Sequence, residues 1–271
     1  MGMPKDDKEK CSVIILAAGK GTRMKSDRAK VLHAICGRPM LAYVVDMARA
    51  AGVEHIAVII GHQSDVVRET FQAQGLIFVE QTEQLGTGHA VLQAKDVFAD
   101  YEGTIIILCG DVPLLPVSAL MDLVESHISE EAVVTVLTTI AGDPTGYGRV
   151  IKRENGVIEK IVEEKDATRD EKKIREINTG IYCVNSRFLF KAVEEINNNN
   201  RQKEYYLTDI IEIACKRGHK VTSMIASNPI EVMGINTPED LQRASEFVLH
   251  RANFLKSHRE KRIIRGNRKS F

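Results

Sequence analysis

The chain of 271 residues carries 37 Lys and Arg against 37 Asp and Glu, with 44% apolar residues and no Trp. A formal charge of zero speaks against a generally basic nucleic-acid binder, and the apolar share beside 27% charged residues excludes a disordered chain. The length allows one domain or two, and α/β folds of this size are often one.

Residues 1–10 mix both charges without an apolar core, so they read as a flexible N-terminal extension rather than a signal peptide. From there, short β-branched runs at 12–17, 55–60, 76–79 and 104–108 alternate with helical spacing at 40–51, 65–71 and 89–98. Such alternation is the mark of βαβ units, and near-continuous apolar runs predict strands covered by helices on both faces. The expectation is a Rossmann-like α/β domain over 11–255 with a mostly parallel central sheet. The second half is less regular. Strands are predicted at 132–139, 148–152, 156–163 and 177–185, and the turn Glu154-Asn155-Gly156 predicts a small antiparallel β flap laid on the sheet's edge. Helices follow at 186–196, 207–216 and 238–255, the last with Leu241, Ala244, Phe247, Val248 and Leu255 at near-helical spacing, ready to pack back on the domain. Residues 256–271 form a basic tail that reads as a solvated end. Five scattered cysteines without a C-x-x-C pair predict neither a disulfide framework nor a zinc site, and fit a reducing cytoplasm. No apolar stretch of about 18 residues is present, so no membrane insertion is expected.

The first chemical signal is Leu16-Ala17-Ala18-Gly19-Lys20-Gly21-Thr22-Arg23-Met24, directly after the first strand. Small residues there let backbone N–H groups approach a phosphate. The spacing is neither a Walker loop nor a dinucleotide fingerprint, whose third glycine would stand where Met24 does. Arg23 and Lys30 add two cations to the same stretch. A second signal is Asp111, which ends the apolar run 105–109. A carboxylate at the end of a central strand suits Mg²⁺, and equally a turn aspartate ahead of Pro113.

These segments, with Gln81-Thr82-Glu83-Gln84-Leu85-Gly86-Thr87-Gly88-His89, Gly110-Asp111-Val112-Pro113-Leu114, Asp143 to Arg149, Glu176 to Gly180 and Glu204-Tyr205-Tyr206-Leu207-Thr208-Asp209, stand in an order that resembles the sugar-nucleotide pyrophosphorylases. The likeness spans roughly residues 12–240. It is greatest to the uridyltransferase domain of the bacterial bifunctional N-acetylglucosamine-1-phosphate uridyltransferase/glucosamine-1-phosphate acetyltransferases. The resemblance implies a nucleotide-diphospho-sugar transferase fold. It also implies an enzyme that makes UDP-N-acetylglucosamine and pyrophosphate from UTP and N-acetylglucosamine-1-phosphate, with Mg²⁺ as cofactor.

It further implies site roles. Asp111 and Asn236 would hold the metal, Asn236 doubling as a turn residue ahead of a helix capped by Thr237. Arg23 and Lys30 would be the catalytic cations on the phosphates of UTP. Leu16, Ala17, Ala18, Gly19, Lys30, Thr87 and Gly110 would bind the nucleotide, with Gln81 and Gly86 reading the uracil. Gly148, Glu163, Asn178, Thr179 and Tyr205 would bind the sugar, Glu204 and its neighbours closing the N-acetyl pocket. Without the resemblance, Glu163 reads as a solvated charge and the Tyr205-Tyr206 pair as core aromatics. His89 is expected to pack or hydrogen-bond rather than to catalyse.

Two features depart from the family pattern. Ala29 stands where proline usually precedes the lysine, which keeps the cation but is expected to loosen its loop. No hexapeptide periodicity is seen, so acetyl transfer and the β-helix trimer are expected to be absent, leaving a monomer or weak dimer. Alternative readings are a pyrophosphorylase for another sugar-1-phosphate or for dTTP, and a catalytically silent sugar-nucleotide sensor.

Overall fold

The structure, a computed structural model, describes the backbone of residues 10–267 and the side chains of residues 10–251 and 253. The N-terminal extension, apart from Lys10, and the cationic side chains of the tail lie outside the described residues. The strands are β1 (Cys11–Leu16), β2 (Ala34–Ile35), β3 (Arg38–Pro39), β4 (Ile56–Ile60), β5 (Ile77–Glu80), β6 (Thr104–Cys109), β7 (Val134–Ile140), β8 (Arg149–Lys152), β9 (Ile158–Val162), β10 (Glu176–Asn185) and β11 (Val221–Ile225). The helices are α1 (Met40–Ala50), α2 (Ser64–Phe71), α3 (Thr87–Leu92), α4 (Val117–Ser129), α5 (Ser186–Val193), α6 (Asp209–Lys216), α7 (Pro229–Val232) and α8 (Pro238–Asn267).

The main sheet follows the path β11-β7-β10-β6-β1-β4-β5. It is mixed but mostly parallel along that path, with β10 running against both β6 and β7. The chain leaves β1 toward β4 and β5, then returns to the other side of β1 at β6. The loop after β1 therefore opens at a topological switch point, where open α/β sheets bind ligands.

Period-two alternation divides the core between the two faces of the sheet. Val13 and Ile15 join residues of α1, α2 and α4, whereas Ile14 joins residues of α3, α5 and α6. Both faces are thus covered, and the central strands are apolar at nearly every position for that reason. A third cluster fastens α8, where Leu241, Ala244, Phe247 and Val248 meet Ile35, Met40, Leu114 and Ile235. The helix packs back on its own domain as its spacing predicts, and runs to Asn267, beyond the expected end at residue 255.

The antiparallel flap exists as the β8–β9 hairpin, but it joins β10 in the interior of the sheet rather than an outer edge. Strand β10 is ten residues long and β6 pairs only with its residues 182–185. The side of β10 that β6 leaves bare takes the hairpin, so Ile177 faces Thr139 on one side and Arg149 on the other. Helix α4, the hairpin β2–β3, strand β11 and the short α7 lie outside the elements predicted from sequence. The region predicted as one helix over 89–98 is instead α3 followed by a 3₁₀ turn at Asp96–Phe98. No helix among the described residues is long and apolar enough to cross a membrane.

Candidate active site

The carboxyl ends of β1, β5 and β6 surround a cavity of about 370 Å³. Its lining includes Leu16, Ala17, Ala18, Gly19, Arg23, Lys30, Gln81, Gly86, Thr87, Asp111 and Asn236, so most of the residues predicted for the nucleotide and metal converge. Gly110 stands directly behind, its N–H donating to the Leu16 carbonyl at 2.9 Å. Two glycines shape the walls through positive-φ backbone where a side chain would also collide with its neighbours. At Gly21, φ is +66° and an added Cβ would lie 2.6 Å from the Lys30 side chain. At Gly86, φ is +111° and a Cβ would meet the Tyr205 carbonyl at 2.6 Å.

Lys30 begins a 3₁₀ turn, Lys30–Leu32, and sends its ammonium to the end of β6. There it pairs with Asp111 Oδ2 and donates to Asn236 Oδ1 at 2.6 Å. Arg23 donates to the same Asn236 oxygen at 2.8 Å. The Ile235 N–H donates to the Asp111 carbonyl at 2.9 Å, which ties the loop carrying Asn236 to the strand end carrying Asp111. Behind Asn236, Thr237 and Asp240 cap α8 reciprocally, with Asp240 also accepting from the Asn236 N–H at 3.1 Å. Asn236 is thus a turn residue ahead of a capped helix and a site residue at once.

Two hard oxygens, one from a carboxylate and one from an amide, therefore face a single cationic centre. That donor set fits a divalent ion of the Mg²⁺ type, which uses few protein oxygens and takes the rest from water and phosphate. Among the described residues no group of three or more His, Cys, Asp or Glu is placed to hold a metal. Any ion here would need phosphate oxygens to complete its shell.

Gln81 is buried at the end of β5, where its Nε2 donates to the Gly86 carbonyl at 3.1 Å and to His89 Nδ1 at 2.9 Å. His89 is a hydrogen-bonding residue, as expected. The segment 204–208 then bridges to the other side of the site. Tyr205 pairs with Leu85 and Gly88 through its backbone, and the Leu207 N–H donates to Thr87 Oγ1 at 3.1 Å. The Thr208 hydroxyl donates to Glu163 at 3.1 Å.

Glu163 is no solvated charge. Burial pushes its carboxyl above the ordinary range, with Asp209, Glu204 and Asp166 adding to the shift. It lies against Gly148, whose carbonyl accepts from the Asn178 N–H at 2.9 Å, so these three predicted sugar residues form one group. Glu163 also borders a second cavity of about 510 Å³ with Asp166, Tyr206 and Asp209. Two other predicted residues point elsewhere. The Thr179 hydroxyl is consumed inside the sheet, donating to the Leu137 carbonyl at 2.7 Å across the register shift between Asn178 and Ile181. The Tyr205 ring turns toward His89, at 6.3 Å between centroids, and borders a separate pocket with Leu85 and Leu92. Glu204 lines the main cavity in its place.

The nucleotidyl transferase family matches residues 12–248 of this chain. The chain belongs to that family. It is 48% identical over 245 residues to the bifunctional protein GlmU of Geotalea daltonii, covering 90% of this chain and 54% of that protein. The Clostridioides difficile bifunctional protein GlmU is 50% identical over 240 residues, covering 89% and 52%. The chain thus spans about half the length of these curated relatives. It also superposes on a UDP-glucose pyrophosphorylase complexed with UDP-glucose with a TM-score of 0.71, at 19% identity, over 90% of this chain and 99% of that one, which establishes the shared fold.

Several residues of this nucleotidyl transferase site escaped sequence reasoning. Gln84 lines the cavity and donates to the Gln81 carbonyl at 3.1 Å. Arg149, almost wholly buried, holds Glu164 at 2.7 Å and the Tyr147 carbonyl, which shapes the loop leading into Gly148. Tyr147 lies close to Asp111, its phenol pushed up to about 12 by burial and by the charges of Asp111 and Asp240. The signal for Arg149 is a basic residue directly before the apolar pair Val150-Ile151, where burial makes it tolerable only with a partner. Cys109 lines the cavity with a thiol that burial keeps neutral, donating to the Gly180 carbonyl at 3.4 Å.

Proposed function

We propose that this domain transfers UMP from UTP to N-acetylglucosamine-1-phosphate, releasing pyrophosphate. The observation that carries the reading is the convergence of Arg23, Lys30, Asp111 and Asn236 on one point beside the glycine loop. A phosphate oxygen of the sugar phosphate attacks the α-phosphorus, a new P–O bond forms, and the bond to the bridging oxygen of the leaving pyrophosphate breaks. The attacking phosphate is already an anion at neutral pH, so no protein base is required. Catalysis is then positioning and charge neutralisation. Arg23 and Lys30 withdraw charge from the phosphates, the guanidinium by a fork and the ammonium as a point charge. Asp111 and Asn236 would hold Mg²⁺, which when bound supplies Lewis-acid polarisation of the phosphates. The Gln81 carboxamide, fixed by Gly86 and His89, presents its oxygen as an acceptor to the uracil edge. Glu163 and Asn178 accept and donate to the sugar hydroxyls.

The five free cysteines support a reducing compartment such as the cytoplasm, and the packing of α8 residues 241–248 on their own domain supports a monomer or weak dimer. Pyrophosphate release measured with UTP or dTTP, Mg²⁺ and a panel of sugar-1-phosphates tests the reading. Release with UTP and N-acetylglucosamine-1-phosphate is expected. A preference for another sugar or for dTTP would reassign the substrate, and no release with any pair would leave a silent sensor.

A further inference from the structure

Lys30 must be presented at a fixed angle, yet Ala29 gives its loop none of the rigidity of a proline. The structure shows what replaces it. The Ala29 N–H, which a proline would lack, donates to Gln63 Oε1 at 2.7 Å. Ala29 itself is buried, with φ −49° and ψ 131°, and its carbonyl accepts from Leu32 at 2.9 Å to close the turn that carries Lys30.

Gln63 is not free to wander. It stands in left-handed backbone, φ 54°, ahead of α2, and its carbonyl accepts from Val67 at 3.1 Å. The turn that holds it, residues 61–63, touches both loops of the phosphate site. The His62 N–H donates to the Ala18 carbonyl at 3.2 Å, and His62 Nε2 lies 3.2 Å from the Asp27 carbonyl, to which it can only donate. Gly61 is packed against Ala18, where an added Cβ would lie 2.9 Å from the alanine Cβ. The loop expected to be loosened by Ala29 is instead tied at two points to the end of β4.

We propose that Gln63 is a positioning residue for Lys30, its side-chain oxygen standing in for the missing proline by anchoring the Ala29 N–H. It touches no substrate and acts only through the turn that carries the lysine. The inference rests on the proposed function, since the readout of Lys30 placement is turnover. It makes a specific demand on the pair of positions: the oxygen at 63 matters only while residue 29 has an N–H. Ala29 already has a φ near that of proline, so Ala29→Pro fits the same backbone once the Gln63 side chain swings away from the ring carbon that takes the place of the N–H.

The test is a double-mutant cycle of Gln63→Ala and Ala29→Pro, with Gln63→Glu as the variant that keeps an acceptor oxygen. In the Ala29 protein, Gln63→Ala should lower kcat/KM for UTP about two- to tenfold, the range of one hydrogen bond, with KM for the sugar phosphate unchanged. Gln63→Glu should restore most of the loss. In the Ala29→Pro protein, which should remain active, Gln63→Ala should have no further effect. Equal losses in both backgrounds, or none in either, would overturn the proposal. Hydrogen exchange of the segment 27–32 reads the same anchor without turnover: faster exchange in Gln63→Ala and near wild-type exchange in Gln63→Glu are expected, and identical exchange in all three would reject it. An inactive wild type with the expected exchange pattern would reject the proposed function and leave the anchor standing.

Discussion

Lys30 and Asp111, 81 positions apart in the chain, are joined as an ion pair at the end of β6, and the same ammonium takes the oxygen of Asn236 at 2.6 Å. A lysine thus gathers the two oxygens that fit a divalent ion. An ammonium and a divalent ion would compete for them, so on the proposed function incoming phosphates that attract Lys30 would free both oxygens. Lys30→Met should therefore strengthen Mn²⁺ binding in the absence of nucleotide, seen by electron paramagnetic resonance titration, while lowering kcat on the order of 10²-fold as one stabilising cation is lost. Unchanged Mn²⁺ affinity would show that the ammonium does not obstruct the ion.

Asp111→Asn is expected to abolish measurable pyrophosphate release and leave the fold intact. The side chain is partly exposed, at 24%, and its loop is held by a backbone bond from Ile235 that the substitution does not touch. Circular dichroism and Tm close to wild type, beside lost turnover, are the expected pair of results. Retained turnover would refute the metal-ligand assignment.

Why some of this site was legible and some not follows from the geometry of its elements. The glycine loop and Asp111 follow the ends of the apolar parallel strands β1 and β6, where position along the chain already fixes position in space, whereas Lys30 reaches them from a 3₁₀ turn. Asn236 is reached only through the family resemblance, since the cap that follows it marks a turn and not a ligand. Tyr205 and Thr179 fail for opposite reasons. Adjacent side chains around 205 divide between two pockets, Glu204 lining the main cavity and Tyr205 the separate one with Leu85 and Leu92, and nothing in the aromatic pair itself marks which way it turns. Thr179 sits in an irregularity of β10 that spends its hydroxyl on the backbone, and such register shifts leave no periodic trace. Helix α4 did carry its signal, with Leu120, Leu123, Val124 and His127 buried at helical spacing. The Gln63 anchor was illegible because it joins residues 34 apart through a side chain at a polar turn.

Glu163→Gln should act on the sugar and not on the nucleotide. The carboxylate is withdrawn from water beside Gly148 and Asn178, away from the phosphate loop. A hydrogen bond to a charged acceptor contributes about 1.5–3 kcal/mol against about 0.5–1.5 for a neutral one, so the swap costs about 1–1.5 kcal/mol and KM for the sugar phosphate should rise roughly 5- to 10-fold. Steady-state kinetics with each substrate varied in turn checks this, and an equal rise in KM for UTP would count against the assignment.

Arg149→Ala should be the most destabilising single change near the site. Its side chain is 2% exposed and its partner Glu164 21%, so truncation takes the shorter-range cation from Glu164, leaving Lys172 at 3.4 Å and the Gly146 N–H, and opens a void under the loop into Gly148. Breaking a buried pair costs about 3–5 kcal/mol, which in a domain of this size corresponds to a Tm lowered by roughly 6–20 °C. Thermal denaturation measures it, and a fall of less than about 3 °C would show that the pair contributes little.

Asp209 gives the fold a pH dependence of definite sign. It opens α6, and burial raises its carboxyl from 3.8 to about 6, with Glu212 and Asp166 pushing the same way and Lys216 opposing. Between those two values the folded protein holds a proton that the unfolded chain has released, so stability falls as pH rises through the window. Asp209→Asn has no charge to bury and loses no hydrogen bond of the side chain among those of the described residues. Its Tm should exceed that of wild type well above the raised value, and the difference should shrink to nothing as pH approaches that of the unfolded carboxyl. Thermal melts of both proteins across that range decide the matter: a gap that is the same at every pH would mean that ionisation of Asp209 is not its cause, since linkage requires the difference to follow the proton.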